Sequence, residues 1–305
     1  MLIDHNLASF SDVAFRTSLV VYVIALFISL YYYGRIQAVI DARRGSAPLG
    51  ADVEARVARI GAMMQSLIWV GIAVHLVAIV LRGLATGRFP LGNLYEYVLM
   101  ITFGAMTAAA LAFQRKEWRT LWPWMLVPIL ALMFYGGTKL YLEAAPVMPA
   151  LKSYWLPVHV TVVSLGASIG LLSGLMSSLH LLRRWQPKGQ ESGLAGKVAK
   201  PLPNAAKLDQ LAYRTAIITL PTLGLGIVLG AIWAEATWGR PWGWDPKETA
   251  SFATWVLYAA YLHARATPSW RKGAPWINVA AMAVMIFNLF FINLVTSGLH
   301  SYAGV

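Results

Sequence analysis

The sequence predicts an all-α polytopic membrane bundle of about eight transmembrane helices with both termini extracytoplasmic. Three observations carry this. Of 305 residues, 58% are hydrophobic and only 12% charged, with a mean hydropathy of +0.59, whereas a soluble domain has about 25% charged residues. Apolar runs long enough to cross roughly 30 Å of hydrocarbon recur along the chain. Basic residues crowd into every second connection between these runs, as the positive-inside rule requires.

In order, the runs are Ala14 to Tyr33, Gly61 to Leu81, Asn93 to Phe113, Thr120 to Gly136, Trp155 to Leu182, Leu211 to Trp233, Pro246 to Arg265 and Trp276 to Ser297. The fourth is short and carries Pro123 and Pro128, so it is the weakest span. Connections after the odd-numbered runs hold most of the Lys and Arg, including Arg43, Arg44, Arg115, Arg183, Lys200, Lys207 and Arg265. The other side holds Arg16, Arg82, Arg88, Lys139, Lys152, Arg240 and Lys247. The basic-rich side is therefore expected to be cytoplasmic. The net charge of +12 is a topology signal, which removes the case for a nucleic-acid partner.

Asp4 and Asp12 precede the first run, opposite to the basic start of a cleavable signal peptide, so this run is expected to remain as an anchor. The connection from about 183 to 210, rich in Gly, Pro and Lys, reads as a flexible cytoplasmic linker within one domain spanning 1–305. There is no cysteine, which excludes disulfides, thiolate-held iron–sulfur clusters and a cysteine nucleophile. No P-loop, dinucleotide fingerprint or zinc spacing supports a soluble enzyme.

The stretch from Trp233 to Trp255 stands apart, with tryptophans at 233, 238, 242, 244 and 255 interleaved with Gly239, Pro241, Gly243 and Pro246. Such a run cannot be one continuous helix in lipid, so it lies at a membrane face or lines a protein-walled cavity. Its indoles suit either an interfacial aromatic belt or a platform for a flat conjugated ligand, and their density favours the platform. Asp245, Pro246 and Glu248 spell a helix start, with an N-cap, a proline at the first helical position and a capping box. That helix N-terminus, with Lys247 and Arg240 nearby, favours an anionic group at the end of the aromatic shelf.

Six histidines complete the candidates: His5, His75, His159, His180, His263 and His300. His159, four residues into the fifth run, and His300, just past the eighth, share a depth at the outer face. Two imidazoles on opposite sides of a flat macrocycle would make a six-coordinate haem; the alternative is two interfacial histidines bonded to water or carbonyls. His263 comes about 27 Å further along the seventh helix than Asp245 and belongs to a second, inner site if it is a ligand. His75 and His180 read as polar groups satisfied by neighbouring helices, and His5 lies on the amino-terminal tail. An electron-transferring membrane b-type cytochrome working with quinone, and a transporter of an anionic apolar solute, stay open on these residues.

The segment WGRPWGWDPKETASF resembles the tryptophan-rich WWD signature of haem-handling membrane proteins. GRFPLGNLYEY, YWLPVHV, YAAYLHAR and SGLHSY extend the likeness, and the chain as a whole resembles the CcsA/ResC family of cytochrome c biogenesis proteins. The resemblance implies the haem-binding part of a holocytochrome c synthase in a bacterial plasma membrane, or in a thylakoid membrane if the chain is plastid-derived. Haem b would be carried across or within the membrane, held outside between His159 and His300 and presented to the Cys-x-x-Cys-His segment of an apocytochrome. Trp238, Trp242, Trp244, Asp245 and Lys247 would contact it, with no certain catalytic residue. His263 would ligate an inner haem, its opposing ligand coming from a ResB/Ccs1-type membrane partner.

Overall fold

A computed structural model describes residues 3–45, 50–147, 149–296 and 298–300. Ser297, where the eighth predicted run ends, and the last two residues of SGLHSY lie outside the described residues. Among the described residues nine α-helices form: α1 His5–Arg44, α2 Ala51–Thr86, α3 Leu94–Ala112, α4 Trp122–Lys139, α5 Trp155–Trp185, α6 Gly193–Ala199, α7 Ala205–Trp238, α8 Pro246–Ala266 and α9 Ala274–Phe287. Their ends follow local chemistry. The Asp4 carboxylate accepts from the backbone N–H groups of Asn6 and Leu7 at the start of α1, and Asn93 and Asn204 cap α3 and α7 in the same way. Gly87 and Gly239, both left-handed, end α2 and α7.

Among the described residues seven helical segments are long and apolar enough to cross a membrane: α1, α2, α3, α4 with the 3₁₀ turn before it, α5, α7 and α9 with its final π turn. The remaining expected span, the seventh run from Pro246 to Arg265, forms as α8, whose 21 residues give a length of about 31 Å. Lys247, Glu248, His263 and Arg265 keep it less apolar than the others. The chain is a multi-pass membrane protein.

Two large apolar cores lie among the described residues. One fills the space among α1 to α4 around Tyr22, Met64, Leu99 and Trp122 and extends to Leu172 and Met176 of α5 and Leu208 of α7. The other lies among α3, α5, α7, α8 and α9 around Ala216, Tyr258, Tyr261 and Ala281. Hydrophobic burial gives little drive between helices in lipid, so close packing of small residues carries more of it. At Gly166 a Cβ would approach the Leu223 backbone N to 3.0 Å, and at Gly226 it would approach the Val163 Cα to 3.0 Å; α5 and α7 meet backbone to backbone.

Basic connections collect at one end of the bundle, where Arg44 and Arg183 bind Glu191, Lys200 pairs with Asp41 and Lys207 with Glu117. The connection expected to be a flexible linker instead carries α6 and is tied down by these pairs and by Tyr33, whose hydroxyl donates to the Val198 carbonyl. At the opposite end Arg82 and Arg88 both bind the fully buried Glu96, which also accepts from Gly92 N–H. These two arginines are thus committed to the fold.

Candidate functional site

A cavity of about 200 Å³ opens at the end of the bundle where α3 and α8 begin and α7 and α9 finish. His159, Trp233, Trp242, Lys247 and His300 all line it.

Each imidazole is fixed through one nitrogen. His159, in the second turn of α5, donates Nδ1–H to the Gly226 carbonyl at 2.8 Å. A carbonyl can only accept, so the proton sits on Nδ1 and the Nε2 lone pair is left free. Its ring lies parallel to the Trp233 indole, with centroids 6.1 Å apart and 7° between planes. His300 Nδ1 faces Asp245 Oδ1 at 3.0 Å, which sets the same tautomer. Among the described residues neither Nε2 has a hydrogen-bond partner.

The tryptophan stretch is partly helical. Trp233 and Trp238 occupy the last turns of α7, and only the segment from Gly239 to Asp245 is irregular. Trp233 is 1% exposed, its centroid lies 5.7 Å from that of His300, and its indole N–H has no partner among the described residues. Trp238 stands edge-on to His300 at 4.9 Å, behind the cavity wall. Trp242 faces the cavity. Trp244 does not: it is 65% exposed with φ of 57°, and it packs edge-on to Trp242 at 5.6 Å.

The predicted helix start is present in full. Asp245 caps α8 through the Lys247 N–H at 3.1 Å, and Glu248 accepts from Asp245 N–H at 3.1 Å and from Gly243 N–H at 2.8 Å. Glu248 thereby pins the irregular segment to α8. The second Asp245 oxygen accepts from Leu299 N–H at 2.9 Å. Burial works against ionisation of Asp245, yet the Lys247 and Leu299 N–H groups and His300 hold its carboxyl below the usual range. Burial pushes His300 below the usual histidine range, Lys247 adds to this and Asp245 opposes it, so the ring is neutral near pH 7. Lys247 bonds Asn293 Oδ1 and sits 5.9 Å over the Tyr97 ring. Arg240 lies 3.8 Å from Glu248.

His263 is elsewhere, exposed on α8 and outside the cavity wall. His180 is buried and donates Nδ1–H to the Ala205 carbonyl at 2.8 Å, and His75 is enclosed edge-on by Tyr22 and Phe103. His5 is exposed near the start of α1. Sequence reasoning missed Tyr97, Asn288 and Asn293 in the cavity wall. Asn288 opens the π turn Asn288–Ile292, and Asn293 donates to the Leu289 carbonyl at 2.6 Å. For the two asparagines, the available signal was three asparagines inside the last apolar run, at 278, 288 and 293.

The family model described as cytochrome C assembly protein matches residues 91–300, which contain the whole cavity wall. The chain belongs to the cytochrome c assembly family. It is 34% identical over 249 residues to the cytochrome c biogenesis protein CcsA of Synechococcus sp. (strain RCC307), covering 72% of this chain and 78% of the relative. It is 36% identical over 239 residues to CcsA of Guillardia theta, covering 72% and 79%, and 32% identical over 281 residues to CcsA of Porphyra purpurea, covering 80% and 87%. A solved structure of cytochrome c heme lyase CcmF has the same fold, with a TM-score of 0.62 at 16% identity, covering 96% of this chain and 50% of that one. This assembly-family chain therefore spans half the length of that neighbour and works in cytochrome c biogenesis.

Proposed function

We propose that this chain holds haem in the cavity between His159 and His300 and presents it for covalent attachment to apocytochrome c. The observation that carries the reading is the pair of imidazoles, each with Nδ1 bonded and Nε2 without a partner among the described residues, lining one aromatic-walled cavity. A histidine ligand ordinarily donates its second ring N–H in this way, which fixes its orientation and raises its basicity. Trp233 and Trp242 supply apolar faces to the wall, and Lys247 supplies the one cation among the wall residues for a propionate. CcmF, the fold neighbour, is itself a cytochrome c heme lyase.

Haem is the cargo here. Each thioether forms when a cysteine S–H of the apocytochrome adds across a haem vinyl group, sulfur to one carbon and hydrogen to the other, without net oxidation. The chain's task is to bind haem in one orientation, leave the vinyl edge accessible and release the iron to the apocytochrome histidine. Absence of cysteine from the chain keeps it from competing for the vinyl groups. The cavity faces the extracytoplasmic side, and a ResB/Ccs1-type partner supplies the second ligand of an inner haem held at exposed His263.

Co-expression with an apocytochrome and a ResB-type partner tests this by scoring covalent haem. His159→Ala and His300→Ala should each abolish attachment; undiminished attachment in either variant would refute the assignment.

A further inference from the structure

Resting on the proposed haem-holding role, we infer that the two ligands are unequal: Asp245 makes His300 the retained one, and His159 is the one that yields to the apocytochrome histidine.

The inequality lies in what stands behind each ring. His300 Nδ1–H donates to a carboxylate oxygen at 3.0 Å. His159 Nδ1–H donates to the neutral Gly226 carbonyl at 2.8 Å, an oxygen that also serves the α7 backbone ladder. A hydrogen bond to an ionised acceptor is roughly twice as strong as a neutral one, and it places more negative charge on the imidazole and so on its Nε2. The stronger donor is the harder one to displace.

Asp245 is also better anchored than a side chain serving only His300. It caps α8 through Lys247 N–H and accepts from Leu299 N–H, so one carboxylate ties the helix start to the segment bearing His300. A Cβ at Gly298 would come within 2.6 Å of Asp245 Oδ2, a fit that leaves no slack. Trp233 and Trp238 close on the His300 ring from two further directions. Asp245 is thus a positioning residue, acting on haem through His300.

The test uses the full chain purified from haem-replete cells, in a His263→Ala background so that only outer haem is counted. His159→Gly, His300→Gly and Asp245→Asn are compared for haem retained, spin state and the rate at which added imidazole exchanges into the site. Asparagine keeps an oxygen to cap α8, and Asp245→Ser is the second variant should Asn perturb folding. His159→Gly should keep a five-coordinate haem that imidazole returns to low spin. His300→Gly should lose haem, and Asp245→Asn should release it roughly ten- to a hundred-fold more readily than the parent, the usual effect of removing a ligand's hydrogen-bond partner. Equal loss from the two glycine variants, or unchanged release in Asp245→Asn, would overturn the hierarchy alone. A parent protein that binds no outer haem would overturn the haem-holding role beneath it.

Discussion

The imidazole of His159 lies parallel to the indole of Trp233, 6.1 Å between centroids and 7° between planes. Two helices far apart in sequence, α5 and the end of α7, are brought together for this contact by glycines that let their backbones touch.

Gly230 is one turn before Trp233 on α7, and a Cβ there would lie 2.6 Å from His159 Cε1 and 2.9 Å from Nδ1. Gly230→Ala should push the imidazole out of its place, lowering haem retention and covalent attachment several-fold while leaving the bundle folded. Gly34→Ala is the control: none of the described residues lies within 4 Å of a Cβ added there, and in a helix interior it should stabilise by roughly 0.5–1 kcal/mol. Thermal melts and haem content of the two purified variants make the comparison.

Glu248 holds the irregular tryptophan segment by accepting two backbone N–H groups. Glu248→Ala should cost about 1 kcal/mol of helix-start stability and free the segment 239–245. Limited proteolysis would then cut there faster than in the parent protein, with Trp242 and Trp244 emission shifted to longer wavelength.

Lys247 contributes a cation to the cavity wall. Lys247→Met should weaken haem binding roughly ten-fold, the loss of one charge-assisted bond, and leave binding of haem dimethyl ester unchanged because that ligand has no carboxylate. Equal weakening for both ligands would assign Lys247 to packing against Tyr97 instead.

At the basic end, burial opposes ionisation of Glu191, but the hydrogen bonds from Arg44 and Arg183 outweigh it and hold its carboxyl at about 2, below the ordinary 4.5. A depressed folded-state value means the stabilisation is full above pH 4.5 and fades as pH falls towards 2. Glu191→Gln should therefore melt lower than the parent at pH 7 by the equivalent of about 2 kcal/mol, and the gap should narrow below pH 4.5.

Much of the site was legible because its signals are local. Asp245, Pro246 and Glu248 specify a capping box through spacing alone, and the structure has it. The common end of His159 and His300 followed from counting residues along apolar runs, and both line one cavity. What escaped depends on packing. That α7 runs on past Trp233 to include Trp238 follows from where it meets its left-handed cap at Gly239, which a tryptophan-rich pattern does not mark. That Trp244 points away from the cavity follows from its positive φ. The anchoring of the 183–210 connection rests on Glu191 meeting arginines from α1 and α5, a long-range pairing that composition cannot reveal.

The absorption spectrum of the purified chain, expressed with ample haem in a His263→Ala background, tests the central claim most directly. The account predicts the sharp reduced α and β bands of low-spin haem with two imidazole ligands, lost on replacing either His159 or His300 with alanine. A spectrum indifferent to both replacements, or no Soret band in the parent, would contradict it.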